Sequence, residues 1–504
     1  MALWFPHLST DRLQRRNKAL AAPDAAPLVV VAKVDNALRL SALDRKAASL
    51  GLAIGQPLAN ARAMLPALKV MAANAPADLK LLTDIADWCD RFTPFVALDG
   101  ADGLLLDVTG ATHLFGGEQV MLKKIRGTLQ AQGFAVRCAM AGTAMAARAF
   151  ARYRDGAVIA PGEEAGEIAP LPIEALNLDP ITTHAFRRAG LKTVGQAASR
   201  KRQEITARFG AATVATLDQA LGHVGKPISP QSPVPDYWKE QGFAEPITSE
   251  AAIRLTLKSL AVALFEVLGQ RGEGARRLEA AFFRADGAVR RIAIEMGAPT
   301  RDPAIIERLF REKLDTLIDP LDPGFGFDLI RLSASRVERT DAEVADLHAG
   351  ALAKKDISFL VDRLAARFGS HRILLFQPND THIPEAAWSA VPAQYAKPAK
   401  LPWKKIRNAG DAPRRPLRLF TRPEPVRFLP GSQLLIWRRV QHGVAKSEGP
   451  ERIAMEWWRH QAVPPTRDYF RVEDGEGRRY WLYRSGMTPR EDVIPQWFLH
   501  GVFA

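Results

Sequence analysis

Four prolines crowd into nine residues at 227–235, and this run constrains the chain more than any other feature. Proline has no backbone N–H to give to a helix or a sheet, and it disfavours helical backbone in the residue before it. No regular element crosses such a run, so separate cores must form on its two sides. A second break spans 379–425, a linker rich in Pro, Ala, Lys and Arg. At 504 residues the chain exceeds what one core organises, and three or four domains are expected.

The segments between the breaks differ in pattern. Residues 1–165 alternate apolar strands (28–32, 104–108, 136–141) with Ala-rich helices (41–50, 57–65 and onward from 141 through Tyr153), punctuated by Gly51 and Pro66. Such alternation predicts layered α and β structure. Residues 166–235 read as short helices: Asp179 caps and Pro180 begins one, Gly190 stops it, and Thr193 caps the next. Residues 240–378 read as strand, long helix, hairpin, second helix and last strand. The long helix aligns Ile253, Leu257, Leu260, Leu264 and Leu268. Asp286-Gly287 is a favoured hairpin turn, and Asp302-Pro303 opens the second helix. Residues 426–504, with a turn at 473–477, form a small, mostly β module. The expected class is α+β multidomain.

Charge narrows the function. The chain carries 69 Lys and Arg against 55 Asp and Glu, a net +14, which fits either a polyanion partner or solvated arginine faces. Two cysteines, Cys89 and Cys138, exclude a disulfide scaffold or Cys-rich metal site and read as core residues. The N-terminus lacks the pattern of a secretory signal, and no apolar run approaches the ~20 residues of a membrane span. A cytoplasmic location is expected.

The segment PLVVVAKVDNALRLSALDRKAASLGLAIGQPLANARAMLPALKV supplies Gly51-Leu52, Gly55-Gln56-Pro57 and Leu65-Pro66 in order. GLLLDVTG (103–110) and AMAGTAMAARAFAR follow. Together these resemble the Y-family (translesion) DNA polymerases. The likeness implies a right hand: palm and fingers at 1–165 (fingers about 12–75), thumb at 166–235 and little finger at 240–378. LWFPHLSTDRL, GPERIAMEWW and WFLHGVFA narrow the resemblance to the ImuB family, inactive relatives that work in mutagenic translesion synthesis.

Nucleotidyl transfer needs two metal ions about 3.5–4 Å apart, held by carboxylates. The resemblance places the first carboxylate at Phe5 and the Asp-Glu pair at Asp102-Gly103, so Asp102 is vestigial, and neither metal nor cofactor is expected. The triphosphate grip falls on Arg45 and Ala48, with Arg39 and Lys46 keeping the area basic. A palm Asn-Lys pair falls on Ala146 and Ala147. The opposing reading is an active polymerase whose ligands, Asp99, Asp102, Asp107 and Asp11, are rearranged. At the thumb hairpin, Asn177-Leu178-Asp179 puts a carboxylate where a phosphate would sit, and a helical spacer is the preferred reading. Arg276, Arg277, Arg284, Arg290 and Arg291 are the candidate DNA-binding residues, against a solvated sheet face. The resemblance implies four partners: DNA, a sliding clamp, an ImuA-type RecA-like protein and an error-prone DnaE-type polymerase; no membrane is involved. The clamp segment, near Leu347, has no Gln or Phe. QLLIW (433–437) spells better but reads as a core strand. Trp437, Trp457, Trp458 and Trp497 are partner-binding candidates, or the core of a small module.

Overall fold

A computed structural model describes residues 1–231, 233–317, 321–340, 349–396, 415–416, 418–429, 431, 433–459, 465–486 and 496–503. Two compact units divide the chain, 1–346 and 347–504.

The first unit begins with β1 (Ala2–Trp4) and α1 (Leu8–Arg16), then β2 (Leu28–Val34), β3 (Ala37–Leu43), α2 (Arg45–Ser49), α3 (Leu58–Met64) and β4 (Lys69–Ala72). Next come α4 (Ala75–Cys89), β5 (Val96–Asp99), β6 (Gly103–Leu106), α5 (Glu118–Ala131), β7 (Arg137–Ala139) and α6 (Ala144–Tyr153). The palm sheet runs β5-β6-β1-β7, with Leu3 opposite both Leu104 and Cys138. Alternation along β1 sends Leu3 and the following Phe5 into a core with α4 and α5, and Ala2 and Trp4 toward α6. Cys89 and Cys138 are buried and unbonded. The fingers are the sheet β3-β2-β4 with α2 and α3 against one face, around Val29, Val31, Leu40, Ala47, Leu58 and Ala61. The helix expected over 41–50 is shorter. Strand β3 persists to Leu43, because Ala42 and Leu43 pair with β2, and Asp44 then caps α2 through the Ala47 amide.

The thumb comprises α7 (Glu164–Ile168), α8 (Pro180–Arg188), α9 (Val194–Ala198), α10 (Arg202–Phe209) and α11 (Ala211–Ala220). Asp179 and Thr193 cap α8 and α9 as expected, and Gln196 completes a capping box. Beyond the proline run lie β8 (Tyr237–Ile247), α12 (Glu250–Gln270), β9 (Glu273–Arg284), β10 (Val289–Thr300), α13 (Pro303–Leu314) and β11 (Phe327–Arg339), in sheet order β10-β9-β11-β8. The five predicted apolar residues of α12 are all buried. At about 1.5–3 kcal/mol for each large apolar side chain, that burial outweighs any helix propensity.

The second unit holds α14 (Ala349–Phe368), the hairpin β12 (Leu374–Pro378) and β13 (Trp388–Pro392), and a closed barrel. The barrel strands are β14 (Arg418–Leu429), β15 (Leu434–Trp437), β16 (Val440–Ile453), β17 (Arg467–Asp474), β18 (Arg479–Ser485) and β19 (Gln496–Val502). The stretch read as a linker thus includes β13 and most of β14. Closure leaves no sheet edge. No helix among the described residues is long and apolar enough to cross a membrane.

Candidate functional site

The turn between β5 and β6 and the start of α6 build the palm site. Phe5 is 0% exposed, edge-on to Phe134 with ring centroids 6.0 Å apart, and its amide donates to the Asp102 carbonyl at 2.8 Å. The Asp102 carboxylate accepts from the Trp4 indole at 2.8 Å and lies 3.6 Å from Arg152. Asp99 faces Arg148 at 2.9 Å and Arg152 at 3.3 Å. Arg137 and Arg152 both lie against the Trp4 ring. Burial pulls the Arg148 guanidinium below its usual range, with Asp99 opposing the shift. In the amide orientation that satisfies both groups, the Asn177 oxygen accepts from Arg148 at 2.8 and 3.1 Å. Gly103 sits where a Cβ would come within 2.8 Å of the Asp99 carbonyl oxygen and 3.1 Å of its carboxylate. A side chain there requires the backbone to shift.

The four aspartates of the opposing reading do not converge. Asp99 and Asp102 share Arg152, whereas Asp107 lies past the far end of β6 and accepts from the Thr109 amide at 3.0 Å. Asp11 is buried on α1 and accepts from the Ala135 amide at 2.8 Å; burial pushes its carboxyl up against that hydrogen bond. Among the described residues, no three His, Cys, Asp or Glu side chains are grouped to hold a metal. Ala146 and Ala147 are fully buried on α6, while Arg45 and Ala48 are exposed on α2.

In the thumb, Asn177 adopts left-handed backbone (φ 49°), which Asn tolerates better than most residues. The Asp179 carboxylate accepts from the Thr182 amide at 2.9 Å, and hydrogen bonding from the Thr182 hydroxyl, then from that amide, holds it below the usual range. The free amides that could take a phosphate are therefore capped from within.

Four of the five candidate little-finger arginines meet acceptors or acids. Arg276 donates to the Gly297 carbonyl at 2.6 Å and approaches Glu338; Arg277 pairs with Glu295 at 3.1 Å; Arg284 chelates Asp286 at 2.6 and 2.7 Å. Arg290 is engaged as well. Arg291 reaches Glu279 at 3.0 Å and, across to the end of α4, Asp90 at 2.8 Å and Asp87 at 3.4 Å. Sequence reading missed the rest of this junction. Arg331 bonds Glu240 at 2.7 Å and the Asp90 carbonyl at 3.0 Å, and Arg91 grips Asp328 through two 2.9 Å bonds. It also missed Arg148 and Arg152, although their four-residue spacing on an Ala-rich helix places both on one face.

In the barrel, Trp437 and Trp497 are half-buried against its core, and Trp437 donates to Glu424 at 2.7 Å. QLLIW contributes strand β15, with Leu435 fully buried. Trp457 and Trp458 instead stand 68% and 59% exposed on a tight turn, edge-on at 5.7 Å. Buried Glu456 anchors that turn through Thr381 at 2.7 Å and Arg459 at 3.1 Å. Leu347 lies outside the described residues.

The impB/mucB/samB family matches residues 5–152, and its C-terminal domain matches 236–347. Protein ImuB of Caulobacter vibrioides is 38% identical over 470 residues, covering 90% of this chain and all of that protein. DNA polymerase IV of Gluconobacter oxydans is 23% identical over 61% of this chain and 87% of its own length. Among solved structures, DinB of Sulfolobus solfataricus aligns over 66% of this chain and 97% of its own, at 17% identity and a TM-score of 0.40. With a curated relative matched along its whole length at that identity, and both polymerase-type domains matched in order, the chain belongs to the ImuB family.

Proposed function

We propose that the chain is a non-catalytic adaptor of damage-inducible, mutagenic translesion DNA synthesis in the cytoplasm. It would join DNA and a sliding clamp to an error-prone DnaE-type polymerase and an ImuA-type RecA-like protein. The observation that carries the non-catalytic part is the pair Phe5 and Gly103: a buried ring stands at one ligand position, and the other has no room for a side chain. The remaining carboxylates, Asp99 and Asp102, are held by Arg148, Arg152 and Trp4. Two divalent ions do not fit such a donor set, because each cation would have to displace a guanidinium and neither Phe5 nor Gly103 offers a carboxylate. An adaptor instead works by raising the local concentration of a polymerase tethered at the lesion.

Primer extension with purified full-length protein, all four dNTPs and Mg²⁺ or Mn²⁺ tests this reading. No incorporation is expected, with or without Asp102→Ala. Incorporation that the Asp102 substitution abolishes would establish the rival, a polymerase with a rebuilt metal site.

A further inference from the structure

The chain's surplus charge is not where the candidate DNA-binding arginines lie. The little-finger stretch 236–340 holds sixteen Lys and Arg against seventeen Asp and Glu. Arg277, Arg284, Arg291 and Arg331 pair with acids along the sheet, at the hairpin turn and on the end of α4. The fingers, 12–75, hold ten Lys and Arg against three Asp and Glu. Half of the chain's net +14 therefore resides in about an eighth of its length.

Few of these cations are held in ion pairs, although Asp11 interacts electrostatically with Arg15 and Arg45. Arg12 pairs with Asp78, and among the described residues the other nine form no ion pair. Arg39 and Lys46 donate to the carbonyls of Gly55 and Ala25, contacts that leave their charge intact. Of the three acids, Asp44 is buried and bonded to the amides of Leu28 and Ala47. Arg45 and Lys46 on α2 and Arg62 on α3 are exposed. Ala47 of α2 and Leu58 and Ala61 of α3 enter one core against the fingers sheet, which leaves these three cations on the solvent sides of the two helices. The fingers contain no Phe, Trp or Tyr, so base stacking is not available there.

We propose that the fingers surface around Arg45, Lys46 and Arg62, rather than the little finger, is where this protein holds the phosphate backbone of DNA. The contact is sequence-independent and driven by counterion release. This rests on the adaptor reading only in requiring that the chain binds DNA.

Fluorescence anisotropy of full-length protein with a labelled duplex and a labelled single strand, over a series of salt concentrations, tests the proposal. The triple variant Arg45→Gln, Lys46→Gln, Arg62→Gln should lose about tenfold or more in affinity at low salt. Its log–log salt slope should shrink by roughly 0.9 per lost duplex contact, and roughly 0.7 on single strands. The charge-preserving triple Arg45→Lys, Lys46→Arg, Arg62→Lys should bind like wild type, which separates charge from folding. The little-finger triple Arg277→Gln, Arg284→Gln, Arg290→Gln should stay within about twofold of wild type. A loss confined to one DNA form names the strand held. Wild-type slopes for the fingers triple on both forms, or a loss carried by the little-finger triple alone, would overturn the proposal. The adaptor reading falls on a different result, nucleotide incorporation, so the two failures are distinguishable.

Discussion

Position 5 shows how one side chain can commit a neighbourhood. A carboxylate placed there would be buried among Leu3, Leu8 and Phe134 without a cation, and a buried unpaired charge is among the costliest features a core can hold. Phe5 removes that cost and adds an aromatic contact. Placing an acid there alone should therefore fail twice. Phe5→Asp should destabilise the palm by about 3–5 kcal/mol, the range for losing a large buried aromatic, seen as a lower thermal midpoint by circular dichroism. It should also leave primer extension at background, since Trp4 and Arg152 still hold Asp102 and Gly103 still excludes a side chain. Metal-dependent incorporation by Phe5→Asp would mean that the site is one residue from activity, against the adaptor reading.

At the scale of elements, the end of α4 and the little-finger sheet are joined by charge. Arg331 lies at the centre of this junction, 8% exposed, facing Glu240, Asp90 and the Phe283 ring. Removing one partner of a buried pair costs about 3–5 kcal/mol. Here Glu240 is 40% exposed and Asp90 keeps Arg291, so the loss should fall below that range. Arg331→Met is expected to cost about 2–3 kcal/mol, read as an earlier urea midpoint with unchanged slope. A cost under about 0.5 kcal/mol would mark the network as ordinary surface pairing. What sequence reading recovered and what it missed divide along the same line. The caps Asp179 and Thr193, the turn at Asp286-Gly287, the helix opened by Asp302-Pro303 and the stripe of α12 follow local rules, and all were legible. The partners of Arg291 at the end of α4 lie 201 and 204 positions away, and no local signal reports them. Strand β1, three residues long, was too short to show a period. The boundary at Leu43 depends on pairing with β2 rather than on the Ala-rich sequence that suggested a helix.

The molecule as a whole has two units with cores of their own, and among the described residues the tryptophans of the second unit divide between holding it together and facing outward. Trp481 is 1% exposed, stacked on Tyr469 with centroids 4.0 Å apart and covered by Arg415. Trp457 and Trp458 are exposed on a turn that buried Glu456 anchors through Thr381, so two large aromatics are presented from a tethered backbone, which would lower the ordering cost of docking a partner. Aromatic anchors of this kind carry much of the energy of protein interfaces. Substitutions in the two places should therefore separate folding from association. Trp481→Ala should destabilise the barrel by about 3–5 kcal/mol. The double variant Trp457→Ala, Trp458→Ala should leave the unfolding transition of the second unit where it was. In pull-downs against the two proposed partners, the RecA-like protein and the DnaE-type polymerase, each presented separately, the double variant should lose one or both. Retention of both at wild-type strength would remove this turn from the partner surface and direct attention to the apolar residues Phe376 and Trp388 of the β12–β13 hairpin, also exposed and edge-on at 4.9 Å.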